Sequence, residues 1–161
     1  MTHVFVAAGS NVDPIPNLQR ALASLSSHYR LTVSPAYRNK AVGFEGEDFV
    51  NLVVGFETQD SVEQVISHLH EAEEDCGRPR NAPKWAPRTM DLDLLLFGDL
   101  VRDDLRVPRA DLVKRVYMLK PMTDIAPEVV HPSLRKSMSE LWSELERGDH
   151  AMEVIEALVG V

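Results

Sequence analysis

The sequence predicts an α+β fold with a largely antiparallel sheet. Three observations carry the prediction: short apolar runs with a period of two, two strong helical stripes set between them, and a tight-turn signal after the most apolar run. With 161 residues, 44% of them hydrophobic, the chain is long enough for one compact domain spanning 1–161 and has little room for a second.

His3 to Ala8 is an apolar run ending at Gly9-Ser10-Asn11, which reads as a buried strand entering a loop. A helix follows. Leu18, Ala21, Leu22 and Leu25 sit at i, i+3, i+4 and i+7, and Pro14 and Pro16 fall near its start, where a missing N–H costs little. Leu31 to Asn39 predicts a second strand interrupted at Pro35. Phe49 to Glu57 predicts a third, with Val50, Leu52, Val54 and Phe56 on the core face and Phe49 and Asn51 on the other. Residues 39–48 between them, with Gly43 and Gly46, have no periodicity and form a loop long enough to wrap a ligand.

The second helix is announced by a capping box, Ser61 with Gln64. It continues along Val62, Val65, Ile66 and Leu69 and stops at Gly77. Glu73 extends the apolar stripe, so its carboxylate either reaches water at the helix edge or meets a polar group. From Asp91 a fourth strand begins, sending Leu92, Leu94 and Leu96 to one face and Asp91, Asp93 and Leu95 to the other. Gly98-Asp99 predicts a turn, with Leu100-Val101 as the returning arm of a hairpin. Pro127 ends a helix at Ile125-Ala126. Beyond it, Leu141, Trp142 and Leu145 mark one more helix, and Met152, Ile155 and Val159 a short last one, so 133–161 reads as a helical C-terminal extension.

The net charge of −8 argues against a nucleic-acid partner, because a phosphate backbone demands an excess of Lys and Arg. The charge is uneven. Residues 78–115 hold nine Lys and Arg against six Asp and Glu, while the rest holds eight against nineteen, a basic island suited to a small polyanion. The one cysteine, Cys76, excludes an intrachain disulfide and reads as a small buried apolar residue. With no charged-then-apolar leader at 1–11 and no apolar run near ~20 residues, the expectation is a cytoplasmic protein with no membrane partner.

Chemistry concentrates at Asp91 and Asp93. Two residues apart on a strand, they point the same way with backbones about 7 Å apart, and two carboxylates that close repel unless they share a cation. Hard oxygen ligands suit Mg²⁺, which completes its shell with water and substrate phosphates. Arg78, Arg80, Lys84 and Arg88 arrive just upstream, in a segment broken by Pro79, Pro83 and Pro87, and supply the positive charge that phosphates need.

Trp85-Ala86-Pro87-Arg88-Thr89-Met90-Asp91-Leu92-Asp93 closely resembles the Trp-Gly-Pro-Arg-Thr-hydrophobic-Asp-hydrophobic-Asp signature of 6-hydroxymethyl-7,8-dihydropterin pyrophosphokinases. Gly9-Ser10-Asn11 matches that family's opening, and the likeness covers about residues 3–132. It implies a ferredoxin-like sheet and transfer of pyrophosphate from ATP to a reduced pterin alcohol in folate synthesis. Asp91 and Asp93 would hold two Mg²⁺, and Arg78 and Arg88 would serve the reaction beside them. The nucleotide would meet His70, Glu73, Arg78, Arg80, Lys84, Trp85, Arg88, Leu94, Arg109 and Arg115. The pterin would meet Val42, Phe49, Asn51 and Tyr117, held between the rings of Phe49 and Tyr117 with the Asn51 amide reading its edge.

Departures from the family pattern are Ala86 for Gly, Asn39-Lys40-Ala41 where relatives have Thr-Pro-Pro, and Arg109 where relatives have His after the proline. The expected state is a monomer. Two rival readings remain at this point: a two-metal nucleotidyltransferase, against which the long separation of Ser10 from Asp91 argues, and an inactive pterin- or nucleotide-binding paralogue.

Overall fold

The computed structural model describes residues 1–39, 49–77, 90–147 and 154–158, the last by their backbone. Strand β1 (Thr2–Ser10) leads into helix α1 (Pro14–Ser26), then into β2 (Thr32–Val33) and β3 (Ala36–Asn39) on either side of Pro35. Strand β4 (Phe49–Thr58), helix α2 (Val62–Asp75) and strand β5 (Asp91–Phe97) follow. Two short 3-10 turns, Asp103–Leu105 and Ala110–Val113, lead to α3 (Val116–Ile125), α4 (Met138–Arg147) and β6 (Val154–Leu158).

Every strand pairing is antiparallel, in the order β5-β1-β4-β3-β6, with β2 also on β4. With β2 and β3 counted as one interrupted strand, β1 to β5 form a strand-helix-strand-strand-helix-strand unit with its first strand in the middle of the sheet, the arrangement expected of a ferredoxin-like core.

Period-two patterning explains the layers. Val4, Val6 and Ala8 of β1, with Val50, Leu52, Val54 and Phe56 of β4, face α1 and α2 and pack on Leu18, Leu25, Val65 and Leu69. The intervening residues Phe5, Ala7 and Val53 face the other way, onto Leu112, Leu119 and Met122 and onto α4 through Met138, Leu141 and Leu145. The sheet is therefore buried on both faces, and β4 reads as near-continuous apolar sequence for that reason. Each fully buried Leu here contributes roughly 1.5–3 kcal/mol over an exposed one.

The capping box forms as expected: Gln64 N–H donates to Ser61 Oγ at 3.2 Å, and Ser61 N–H donates to Gln64 Oε1 at 2.7 Å. Gly77, with φ of +86°, closes the helix.

Three expectations are corrected. Leu96 does not share a face with Leu92 and Leu94, because the β1–β5 register slips between Phe5 and Val6 and leaves Leu95 unopposed. This bulge turns both Leu95 and Leu96 toward α3 and α4. Leu100-Val101 is not a returning hairpin arm: the chain turns on Gly98 and passes into the 3-10 turn, with Gly98 N–H donating to His3 O.

The third correction concerns the C-terminal extension. Among its described residues only α4 is helical, and that helix is part of the core. The stretch expected as a last helix is strand β6, which pairs with the open edge of β3, where backbone groups need partners that a helix would not supply. Among the described residues no helix is long and apolar enough to cross a membrane.

Candidate functional site

The site is written into the sheet register. Tyr37 of β3 lies opposite Asn51 of β4, Asn51 opposite Gly9 of β1, and Gly9 opposite Asp91 of β5, so one row crosses four strands on one face. In the next row Ala7 stands between Val53 and Asp93. Asp91 and Asp93 thus share the face covered farther along by α3, as their spacing predicted. Both are half-buried.

Gly9 is the link in the row. A Cβ built on it would collide with the side-chain amide of Asn51, so that amide lies over β1 in the direction of Asp91. The turn reading of Gly9-Ser10-Asn11 misses this. The motif reads as turn chemistry, yet Gly9 and Ser10 are strand residues, and a glycine inside a strand marks a close approach.

Helix α3 is fixed over the row from its far end. The Tyr37 hydroxyl donates to Asp124 Oδ2, and Lys120 Nζ reaches Asp124 Oδ1 at 2.9 Å. Burial, then the bond to Asp124, pushes the Tyr37 hydroxyl above its ordinary range, so it stays a donor. Tyr37 was not among the residues singled out from the sequence. Tyr117, in the first turn of α3, is half-buried, and burial raises its pKa too, with Asp111 and Asp93 adding to the shift and Arg115 and Arg109 opposing it. Its ring stays neutral within the field of Asp93.

Arg109 arrives by a backbone bond. Its N–H donates to Leu95 O at 3.0 Å on the outer edge of β5, which brings Arg109 Nη2 to 3.4 Å from Asp93 Oδ1. Among the described residues, the buried Arg109 Nε has no hydrogen-bond partner. On the same edge, Leu92 N–H donates to Glu73 Oε2 at 3.3 Å, so one polar group that Glu73 meets is a strand backbone.

Between α2 and β5 lies a cleft of about 300 Å³ lined by His70, Glu73, Asp91, Asp93, Leu94 and Arg109, with Ile66, Leu69, Leu92 and Leu105 as its apolar part. His70 is exposed at its mouth, while Leu94 is only 7% exposed and lends the core side of its wall. Arg115 caps the start of α3 with its side chain exposed. Phe49 stands two residues from Asn51 on the same strand face. Val42, Arg78, Arg80, Lys84, Trp85 and Arg88 lie outside the described residues.

Two half-buried carboxylates on one strand face, with a third carboxylate lining the same cleft from α2, are hard oxygen donors of the kind Mg²⁺ takes, so the residues present fit that ion. Beside them the guanidinium of Arg109 adds a donor fork for phosphate oxygens. The arrangement can hold a polyphosphate along β5 and a flat heterocycle at Asn51.

The model of the 7,8-dihydro-6-hydroxymethylpterin-pyrophosphokinase (HPPK) family matches residues 5–127. A 2-amino-4-hydroxy-6-hydroxymethyldihydropteridine pyrophosphokinase of Aquifex aeolicus is 34% identical over 149 residues, covering 89% of this chain and 92% of that relative. One of Pseudomonas aeruginosa is 35% identical over 139 residues, covering 82% and 85%. In fold, the chain is similar to the crystal structure of wild-type HPPK-DHPS of Plasmodium falciparum with SDX-DHP, at a TM-score of 0.68 and 13% identity, covering 89% of this chain and 43% of that one.

Proposed function

The chain belongs to the 7,8-dihydro-6-hydroxymethylpterin-pyrophosphokinase family, and from that premise we propose how its own residues divide the work. The reaction is transfer of pyrophosphate from ATP to 6-hydroxymethyl-7,8-dihydropterin in folate biosynthesis. The pterin hydroxyl oxygen attacks the β-phosphorus, the bond from that phosphorus to the α-phosphate oxygen breaks, AMP leaves, and the hydroxyl proton passes to solvent.

Asn51 reads the pterin edge, its amide offering donor and acceptor together, while Phe49 and Tyr117 supply ring faces. Support comes from the row Asn51–Gly9–Asp91, in which the single strand β1 separates Asn51 from the strand that carries the carboxylates. Asp91 and Asp93 would hold Mg²⁺, two ions as the family resemblance implies; when bound, these would supply neutralisation of the triphosphate charge. Arg109 and Arg115 bind phosphate oxygens, together with Arg78, Arg80, Lys84 and Arg88, while Trp85, His70, Glu73 and Leu94 contact the nucleotide and Val42 the pterin. Tyr117, held neutral by burial, serves as a ring and not as a base. Positioning and charge neutralisation carry most of the acceleration in phosphoryl transfer, so a dedicated base is not required. We read the enzyme as a monomer in the cytoplasm; its one free, buried cysteine agrees with a reducing compartment.

The test is pterin binding followed by fluorescence in the presence of Mg²⁺ and a non-hydrolysable ATP analogue. Asn51→Leu should abolish pterin binding and leave nucleotide binding intact. Undiminished pterin affinity in that variant would move the pterin pocket elsewhere.

A further inference from the structure

Helix α2 carries two His and carboxylate pairs at i, i+3. His70 and Glu73 line the cleft; His68 and Glu71 lie about 200° around the helix from them, toward the residues that follow α1. There His28 joins them. Its Nε2 is 3.7 Å from Glu71 Oε2, His68 Nδ1 is 3.5 Å from the same oxygen, and donor atoms of all three lie within 4.8 Å of one another. The two imidazole rings stack with centroids 3.7 Å apart.

We propose that His28, His68 and Glu71 bind a divalent transition-metal ion of the zinc class, at a site separate from the acidic pair on β5. Two imidazoles with one carboxylate form a nitrogen and oxygen set that favours such ions over Mg²⁺. Donors around a tetrahedral zinc stand about 3.3–3.5 Å apart, given bonds of ~2.0–2.2 Å, so the spacing at Glu71 already approaches that of a filled site. His28 lies at the surface, where its ring can turn to meet the ion, and solvent supplies a fourth ligand.

The surroundings of His68 are what distinguish this cluster from an ion pair. With Nδ1 facing Glu71, its other nitrogen, Nε2, faces Asp60 Oδ2 at 3.7 Å. The same Asp60 oxygen accepts the Tyr29 hydroxyl at 2.8 Å, and Tyr29 is itself stacked on Phe56 of the core. A ligating histidine whose far nitrogen faces an anchored carboxylate is the usual support of a metal-bound imidazole, since the carboxylate fixes the tautomer and raises the ring's basicity.

The test uses untagged protein and Zn²⁺ alone as probe, in competition with a chromogenic chelator and with millimolar Mg²⁺ present to occupy the carboxylates of the cleft. One equivalent of Zn²⁺ should bind. Affinity should fall at least tenfold in His68→Gln and in Glu71→Gln, fall about tenfold or more in Asp60→Asn, and stay unchanged in Asp93→Asn. Asp60→Asn keeps the side-chain shape, so it reports even if a histidine variant folds poorly. Zinc binding that is absent, or equal in all four variants, overturns the proposal and leaves an ion pair only; binding lost in Asp93→Asn alone would assign the zinc to the cleft.

Discussion

The side-chain amide of Asn51 fills the space where any other residue at position 9 would begin its side chain, so Gly9 and Asn51 form a matched pair on neighbouring strands. Gly9→Ala must therefore push the amide aside. Overpacking of this kind costs about 1–3 kcal/mol, partly offset by the better strand propensity of alanine. The KM for the pterin should rise more than the KM for ATP. Equal effects on the two substrates would mean that Asn51 does not touch the pterin.

The ion pair of Arg109 with Asp93 suggests a second measurement. Arg109→Ala should lower kcat/KM by about 10- to 150-fold, or ~1.5–3 kcal/mol, the range for a lost charged hydrogen bond. Arg109→His should recover much of the loss below the imidazole pKa, where the ring carries a charge. An alanine variant of normal kcat/KM would leave Arg109 as a partner of Asp93 with no part in phosphate binding.

Asp91→Asn and Asp93→Asn should each lower kcat severely, because losing a hard anionic ligand takes charge stabilisation from the transition state. A Mg²⁺ titration separates the causes. If saturating Mg²⁺ restored near-normal rates in both, the carboxylates would be aids to binding and nothing more.

His131 gives a prediction about pH. It is 6% exposed, and its Nδ1 accepts from the backbone N–H groups of Ser133 and Leu134, each at 3.1 Å. Burial lowers its pKa below the ordinary value of 6.5. In the window between that value and the lowered one, the unfolded chain holds more proton, so stability rises with pH there. This contribution is present above about pH 6.5 and lost as pH falls through the folded pKa. Calorimetry from pH 8 to 5 should show a shallower fall in Tm for His131→Gln than for the parent chain, on a baseline lower by roughly 1–3 kcal/mol for the backbone groups left unpaired. Parallel pH curves would sink the idea.

What could be read from the sequence was local. The capping box of α2, the alternation along β4 and the shared face of Asp91 and Asp93 each depend on spacing within a few residues, and each forms as expected. What could not be read depends on partners distant in sequence. No glycine marks the bulge at Leu95; it exists only against β1. Met152, Ile155 and Val159 fit a helical spacing, and only the unpaired edge of β3 decides for a strand. Arg109 stood out as a departure from a family pattern, while its hold on Leu95 O and its approach to Asp93 come from the path of the chain after β5. Gly9 could have been found by asking why a strand would spend a glycine.

Among the described residues strand β5 ends the sheet, and an edge strand with unpaired backbone groups is a template onto which another chain can add. Here two of those groups are already taken: Glu73 accepts the Leu92 N–H, and the Arg109 N–H donates to Leu95 O. The bulge at Leu95 further spoils the register that an incoming strand would need. The same residues that shape the cleft thus occupy backbone groups that an incoming strand would use, and a variant such as Glu73→Ala that opens the cleft would also bare the Leu92 N–H on this edge.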